Sequence, residues 1–203
     1  MTAWDRAARL YDFQLFLERT AIDQALELAA IRAGDRLLDL GTGTGAVLAR
    51  LAARADAPRE ALGVDRSASM LAAARDLPAT WRLVRADATA LPFSDECFDV
   101  VMAAYLLHLL EPAARRAVIA EAARVLRRGG RLVAVTVGVP RSPALAVVFA
   151  PVAAIARRTR GIMAGLRVLD PRRELIEGGF CVCAARRTGR GYPSLVVVAE
   201  RRG

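Results

Sequence analysis

The chain has 203 residues, enough for one domain with a real core, and its 55% apolar content excludes a disordered chain. The net charge is +9, yet there is no lysine: all 30 basic residues are arginines, scattered or in short pairs such as Arg127-Arg128 and Arg186-Arg187. In a chain dominated by Ala, Arg, Gly, Leu and Val, this reads as compositional bias and solvated surface, which weakens the usual inference from basic charge to nucleic acid.

Met1 to Leu10 carries charges and no apolar run, so no secretory signal is expected. Residues 3–32 are predicted helical, with Leu10, Phe13, Leu17, Ile22, Leu26 and Leu28 as apolar positions and Asp12 as a cap between two helices. Next, Arg36-Leu37-Leu38-Asp39-Leu40 reads as a strand, Gly41-Thr42-Gly43-Thr44-Gly45 as a tight turn, and Ala46 as the start of a helix. Glycines are needed where the backbone turns at positive φ or where a ligand touches the main chain. The first free N–H groups of the helix face that turn.

Two ligand classes use such a cradle. Gly41-x-Gly43-x-x-Ala46 fits the dinucleotide pattern of an NAD(P) oxidoreductase. Gly41-x-Gly43-x-Gly45 with Asp39 two residues ahead fits another pattern. A pyrophosphate would be repelled by that carboxylate; a ligand carrying an ammonium would be attracted. S-adenosylmethionine has an ammonium, a carboxylate and a sulfonium.

A second strand, Ala61 to Asp65, ends in an acid that can accept both hydroxyls of a ribose. Nicotinamide and S-adenosylmethionine sites share this feature, so it indicates a nucleoside without choosing between them. Ser67 is the expected N-cap of the next helix, with Arg66 and Met70 flanking the site. Trp81 to Ala86 reads as a third strand followed by Asp87-Ala88, then Leu91-Pro92-Phe93. Phe98 to Ala103 is a fourth strand, apolar but for Asp99, as in a buried parallel sheet. Ala104 to Leu110 follows at the carboxyl edge, where open α/β sheets hold ligands. His108, the one histidine, falls here and is a candidate proton acceptor, with simple packing as the alternative.

Residues 113–127 are predicted to form an amphipathic helix stopped by Arg128-Gly129-Gly130, and Arg131 to Val137 a fifth strand. Ser142 to Ala156 is weakly charged but short of the roughly 17–25 residues of a membrane span. Asp170 and Pro171 are the expected N-cap and first residue of a last helix, which ends at Gly178-Gly179. Cys181 to Thr188 and Tyr192 to Glu200 are predicted to pair as a hairpin across 189–191. Three cysteines and a single histidine offer neither a metal site nor a disulfide framework, and a reducing cytoplasm is the expected setting.

These stretches together resemble the class I S-adenosylmethionine-dependent methyltransferases. The likeness rests on acid-x-Gly-x-Gly-x-Gly at Asp39 to Gly45, Asp65-x-Ser67-x-x-Met70, Asp87-Ala88, Leu91-Pro92-Phe93 and Phe98-Asp99-Val100-Val101. It covers residues 34–136 well and is most similar to small-molecule enzymes of ubiquinone and menaquinone biosynthesis and to bacterial phospholipid methyltransferases. The resemblance implies a Rossmann-like α/β fold: a seven-stranded, mostly parallel sheet with helices on both faces and a C-terminal antiparallel hairpin. It implies a single domain over 1–203, with a helical lid at 1–33 and a helical insertion at 138–168 near the substrate.

The implied cofactor is S-adenosyl-L-methionine. The implied binding residues are Tyr11, Asp39, Gly41, Thr42, Gly43, Gly45, Asp65, Arg66, Met70, Asp87, Ala88 and Ala104, with Asp87 and the Ala88 N–H serving the adenine. The Asn/Asp-Pro-Pro-Tyr/Phe motif of nucleic-acid amino methyltransferases is replaced by Ala103-Ala104-Tyr105-Leu106, and no Pro-Cys pair is present. The insertion, apolar with arginine edges, leads us to expect an apolar acceptor such as a quinol, phenol or lipid head group, with peripheral membrane contact. An RNA methyltransferase and an NAD(P)-dependent oxidoreductase remain the alternatives.

Overall fold

The computed structural model describes residues 17–75, 77–140, 167–188 and 193–203. Helix α1 covers residues 17–29. There follow β1 (Arg36–Leu40), α2 (Ala46–Ala52), β2 (Glu60–Asp65), α3 (Ala68–Ala72), β3 (Arg82–Arg85) and β4 (Phe98–Ala104). A 3-10 turn at Leu107–Leu109 leads to α4 (Pro112–Val125), β5 (Leu126–Val137), α5 (Arg172–Glu177), β6 (Phe180–Arg187) and β7 (Ser194–Arg201).

The seven strands form one sheet in the order β3-β2-β1-β4-β5-β7-β6. β1 to β5 pair in parallel; β7 runs antiparallel between β5 and β6. This is the mostly parallel sheet with a terminal antiparallel pair that the sequence predicts. The expected Tyr11, the Asp12 cap, most of the 138–168 insertion and the hairpin turn lie outside the described residues.

The alternation of side chains along each strand builds two cores. Leu38, Leu40, Val101, Ala103, Leu132 and Ala134 face one side, packed with Val118, Ile119 and Ala122 of α4 and Leu175 of α5. Leu37, Val100, Met102, Val133 and Val135 face the other, against Ala21, Ile22, Ala25 and Leu26 of α1 and Leu48 and Leu51 of α2. Because both faces are buried, the central strands are mostly apolar, broken by Asp39 in β1 and Asp99 in β4.

Two boundaries differ from expectation. The fourth helix ends at Val125, and β5 begins at Leu126, opposite Phe98. Gly129, at φ 72°, therefore makes an irregularity in the strand instead of a helix stop. Pro171, not Asp170, holds the N-cap position of α5. Asp170 still works there, accepting the Arg172 N–H at 3.2 Å and pairing with its guanidinium.

Candidate functional site

The glycine turn leaves the carboxyl end of β1, the innermost parallel strand. Gly41, Gly43 and Gly45 have φ values of 67°, 56° and 77°, a region that other residues enter at a cost of about 1–2 kcal/mol. Space matters as well. A Cβ on Gly41 would sit 3.0 Å from Leu106 Cδ1. Gly63 of β2 has a related role that the sequence did not reveal: a Cβ there would come within 2.8 Å of the Thr42 side chain.

The turn is locked to β2. The Thr42 N–H donates to the Val64 carbonyl at 3.0 Å, and the Gly43 N–H donates to Asp65 Oδ2 at 3.0 Å. Asp65 Oδ1 accepts the Ser67 N–H at 2.8 Å, and Ser67 caps α3 by accepting the Met70 N–H at 3.4 Å. Each carboxylate oxygen has two acceptor positions. One on each oxygen orients Asp65, which leaves one on each for a pair of adjacent hydroxyls. Asp87, after β3, accepts the Thr89 N–H at 2.9 Å and the Thr89 hydroxyl at 2.7 Å, both on Oδ1. These bonds hold its carboxyl below the usual range, with Arg66 adding to the effect.

Asp39 is different. It is 1% exposed, and burial raises its pKa from 3.8 to about 7. The Thr42 hydroxyl opposes the shift and the Asp65 carboxylate adds to it. Even so, neither Asp39 Oδ2 nor Thr42 Oγ1 completes a hydrogen bond with a described residue. A carboxyl held under a ligand-sized turn in this state suits a cation above it.

Two clefts meet over the turn. The first, about 240 Å³, is lined by Gly41, Thr42, Gly43, Asp65, Met70 and Ala104, together with Glu18, Ile22, Tyr105 and Leu106. The second, about 260 Å³, is lined by Gly41, Asp65, Arg66, Asp87, Ala88, Thr89 and Leu106. They share Gly41, Asp65 and Leu106, and together they reach the roughly 300–1,000 Å³ of small-molecule pockets. Gly45 and Asp39 are among the lining residues of neither.

His108 does not line either cleft. It is 3% exposed, and its ring meets the edge of the Tyr105 ring at 6.0 Å. Tyr105 does line the first cleft, at a backbone φ of 55°. Its hydroxyl is 2.7 Å from Ser194 Oγ. Sequence reasoning missed Tyr105, Glu18 and Leu106. A tyrosine directly after a strand end at the ligand edge was the available signal for the first; nothing local distinguished the other two.

The residues present fit the nucleoside end of S-adenosylmethionine: Asp65 keeps an acceptor position on each oxygen, as a ribose diol would need, and Asp87 with Ala88 lines the second cleft. Among the described residues no arginine lines the first cleft, which suits a pyrophosphate poorly.

Comparison with known proteins agrees with this geometry. Residues 37–130 match the family described as methyltransferase domain. The chain is 38% identical over 154 residues to the ubiquinone/menaquinone biosynthesis C-methyltransferase of Syntrophotalea carbinolica, covering 70% of this chain and 63% of that protein. It is 35% identical over 142 residues to the demethylmenaquinone methyltransferase of Beutenbergia cavernae, covering 68% and 57%. The chain thus spans about three-fifths of the length of these relatives. Among solved structures, an S-adenosylmethionine-dependent methyltransferase of Methanosarcina mazei superposes with a TM-score of 0.67 at 20% identity, covering 87% of this chain and 97% of that one. That likeness speaks for the fold.

Proposed function

The chain belongs to the class I S-adenosylmethionine-dependent methyltransferases, and on that premise we propose that it transfers a methyl group to a small apolar acceptor such as a quinol, phenol or lipid head group. The observation that carries the reading is the paired cleft over Gly41, with Asp65 lining both halves and the buried Asp39 in the strand that leads into the turn. When bound, the donor supplies a methyl group on a sulfonium, whose departure as a neutral thioether needs no acid.

What remains for the chain is positioning, which is worth roughly 7–11 kcal/mol in favourable cases. The glycine turn and Asp65 fix the donor's nucleoside end. Tyr105, Ala104 and Leu109 give the first cleft an aromatic and aliphatic surface, which supports an apolar acceptor. His108 acts through packing on Tyr105 in this reading and is not required as a base, since a base adds only about 10²–10⁴-fold. In this reading, a single domain, the segment at 1–33 serves as the lid over the cofactor and the insertion at 138–168 serves the substrate; most of both lies outside the described residues.

The relatives are named as a C-methyltransferase of ubiquinone/menaquinone biosynthesis and a demethylmenaquinone methyltransferase, and we take that acceptor class as the first to test. The experiment is transfer of labelled methyl from S-adenosylmethionine to demethylmenaquinone in detergent, to phosphatidylethanolamine vesicles and to bulk RNA. Label in a lipid-soluble acceptor supports the proposal. Label only in RNA, or only in small polar acceptors, overturns it. Among the described residues no helix is long and apolar enough to cross a membrane.

A further inference from the structure

We propose that a basic groove at the end of β6, lined by Arg172, Arg186 and Arg187, docks the protein on an anionic lipid surface. The groove itself follows from the fold; the choice of a lipid occupant rests on the apolar-acceptor reading above.

The groove has a volume of about 650 Å³ and lies at the end of β6, the outermost strand of the sheet. Arg186 and Arg187 are neighbours in that strand and so leave it on opposite faces. Both line the groove, together with Gln24 of α1, Asp170 and Arg172. Helix α1 packs on one face of the sheet and α5, which begins at Arg172, on the other. Segments far apart in the sequence thus bring three guanidinium groups to one place.

One carboxylate faces them among the described lining residues. Asp170 is already committed to Arg172, at 2.6 Å. Its carboxyl is held below the usual range chiefly by Arg172, with Arg187 adding to the effect. Arg186 and Arg187 are exposed and form no ion pair among the described residues. Three guanidinium groups against one carboxylate leave the groove with an excess of two positive charges.

The surroundings choose between anionic partners. None of the described residues lining the groove is aromatic, whereas single-stranded nucleic acid draws much of its affinity from stacking on aromatic rings. The adjoining hollow shares Asp170 and Arg172 and is lined by Ile176 and Val182, with Ile176 48% exposed. Arginines beside an exposed aliphatic side chain match the charged and apolar layers of a lipid surface.

Position ties the groove to the first cleft. Arg187 pairs with Leu195, and Ser194 with Val137, so the groove opens at the carboxyl end of β5, the same edge as the glycine turn. Leu195 lines the groove, and its neighbour Ser194 meets the hydroxyl of Tyr105, which lines the first cleft. Helix α1 spans the same gap, with Gln24 on the groove and Ile22 on the cleft. A bilayer held at the groove therefore lies beside the cleft assigned to the apolar acceptor.

The test is sedimentation of the full chain with phosphatidylcholine vesicles, with and without phosphatidylglycerol. Binding is expected only with the anionic lipid and should weaken with added salt. Each arginine at such a surface is worth about fivefold in partitioning, so Arg186→Gln with Arg187→Gln should lose about 25-fold. Arg186→Lys with Arg187→Lys keeps the charge and should retain the binding. Arg59→Gln with Arg82→Gln removes the same charge from the far side of the sheet and should change binding by less than about twofold. Equal loss in the two glutamine variants would mean that net charge alone attracts the chain, and overturns the proposal. Failure to bind anionic vesicles overturns it as well, whether or not single-stranded RNA binds instead. Calorimetric binding of glycerol phosphate without vesicle binding would make the groove a site for a soluble ester, and also overturns it. The assay contains no methyl donor, so its failure leaves the donor reading to its own titration.

Discussion

Asp65 Oδ2 accepts the Gly43 N–H at 3.0 Å, so the tip of β2 and the glycine turn are one hydrogen-bonded unit. The same carboxylate orders the start of α3 through Ser67. Asp65→Ala should therefore damage fold and binding together. Each backbone N–H bond lost to this charged acceptor destabilises by about 1.5–3 kcal/mol, readable by urea unfolding. Donor affinity should fall by more than tenfold. Stability unchanged in this variant would contradict the hydrogen-bonded role.

Asp39 predicts a pH signature. Its folded pKa of about 7 lies above its ordinary 3.8. Between those values the folded chain keeps a proton that the unfolded chain has lost, so stability falls as pH rises. The contribution is intact below about pH 4 and is lost as pH passes through about 7, with a slope of at most about 1.4 kcal/mol per pH unit. Asp39→Asn should remove this component. Parallel unfolding curves for the two proteins from pH 4 to 8 would show that the carboxyl is not buried in this way.

Gly41→Ala adds strain at φ 67° and a contact at 3.0 Å with Leu106 Cδ1. Leu106 lines both clefts, so the clash falls on the passage between them. The expected cost is about 1–2 kcal/mol in stability and loss of measurable donor binding. Normal affinity in this variant would mean that the ligand does not cross Gly41.

Arg115 and Glu174 form a bidentate pair that ties α4 to α5, with side chains 12% and 21% exposed. Arg115 also donates to the Leu110 carbonyl at 3.0 Å, just beyond the 3-10 turn. Arg115→Ala should cost about 3 kcal/mol, the lower end for a buried pair broken on one side. Arg173 and Glu177 make a similar contact in the open, at 89% and 54% exposure. Arg173→Ala should leave the melting temperature unchanged. A reversed order of the two effects would refute the burial argument.

The parts of the site that were legible in the sequence are those written in consecutive residues. Asp39 to Gly45, Asp65 to Met70 and Asp87-Ala88 each belong to one strand–turn segment, where spacing alone dictates the geometry. The apolar runs of β1 and β4 gave the parallel sheet for the same reason. Glu18 was not legible, because what matters is which face of α1 packs over a turn more than twenty residues away. Gly63 looked like an ordinary strand residue until the Thr42 side chain was found against it. Gly129-Gly130 suggested a helix stop, but pairing of Leu126 with Phe98 starts the strand earlier, a long-range contact that overrides the local signal.

The central claim is that the cleft over Gly41 holds a sulfonium-bearing methyl donor and not a dinucleotide. Calorimetric titration with S-adenosylmethionine, S-adenosylhomocysteine and NADPH, paired with melting shifts, tests it most directly. Saturable binding of the first two is predicted, with stabilisation of about 2.7 kcal/mol at 100 times the dissociation constant, and no response to NADPH. Saturable binding of NADPH with no response to the methyl donor would contradict it.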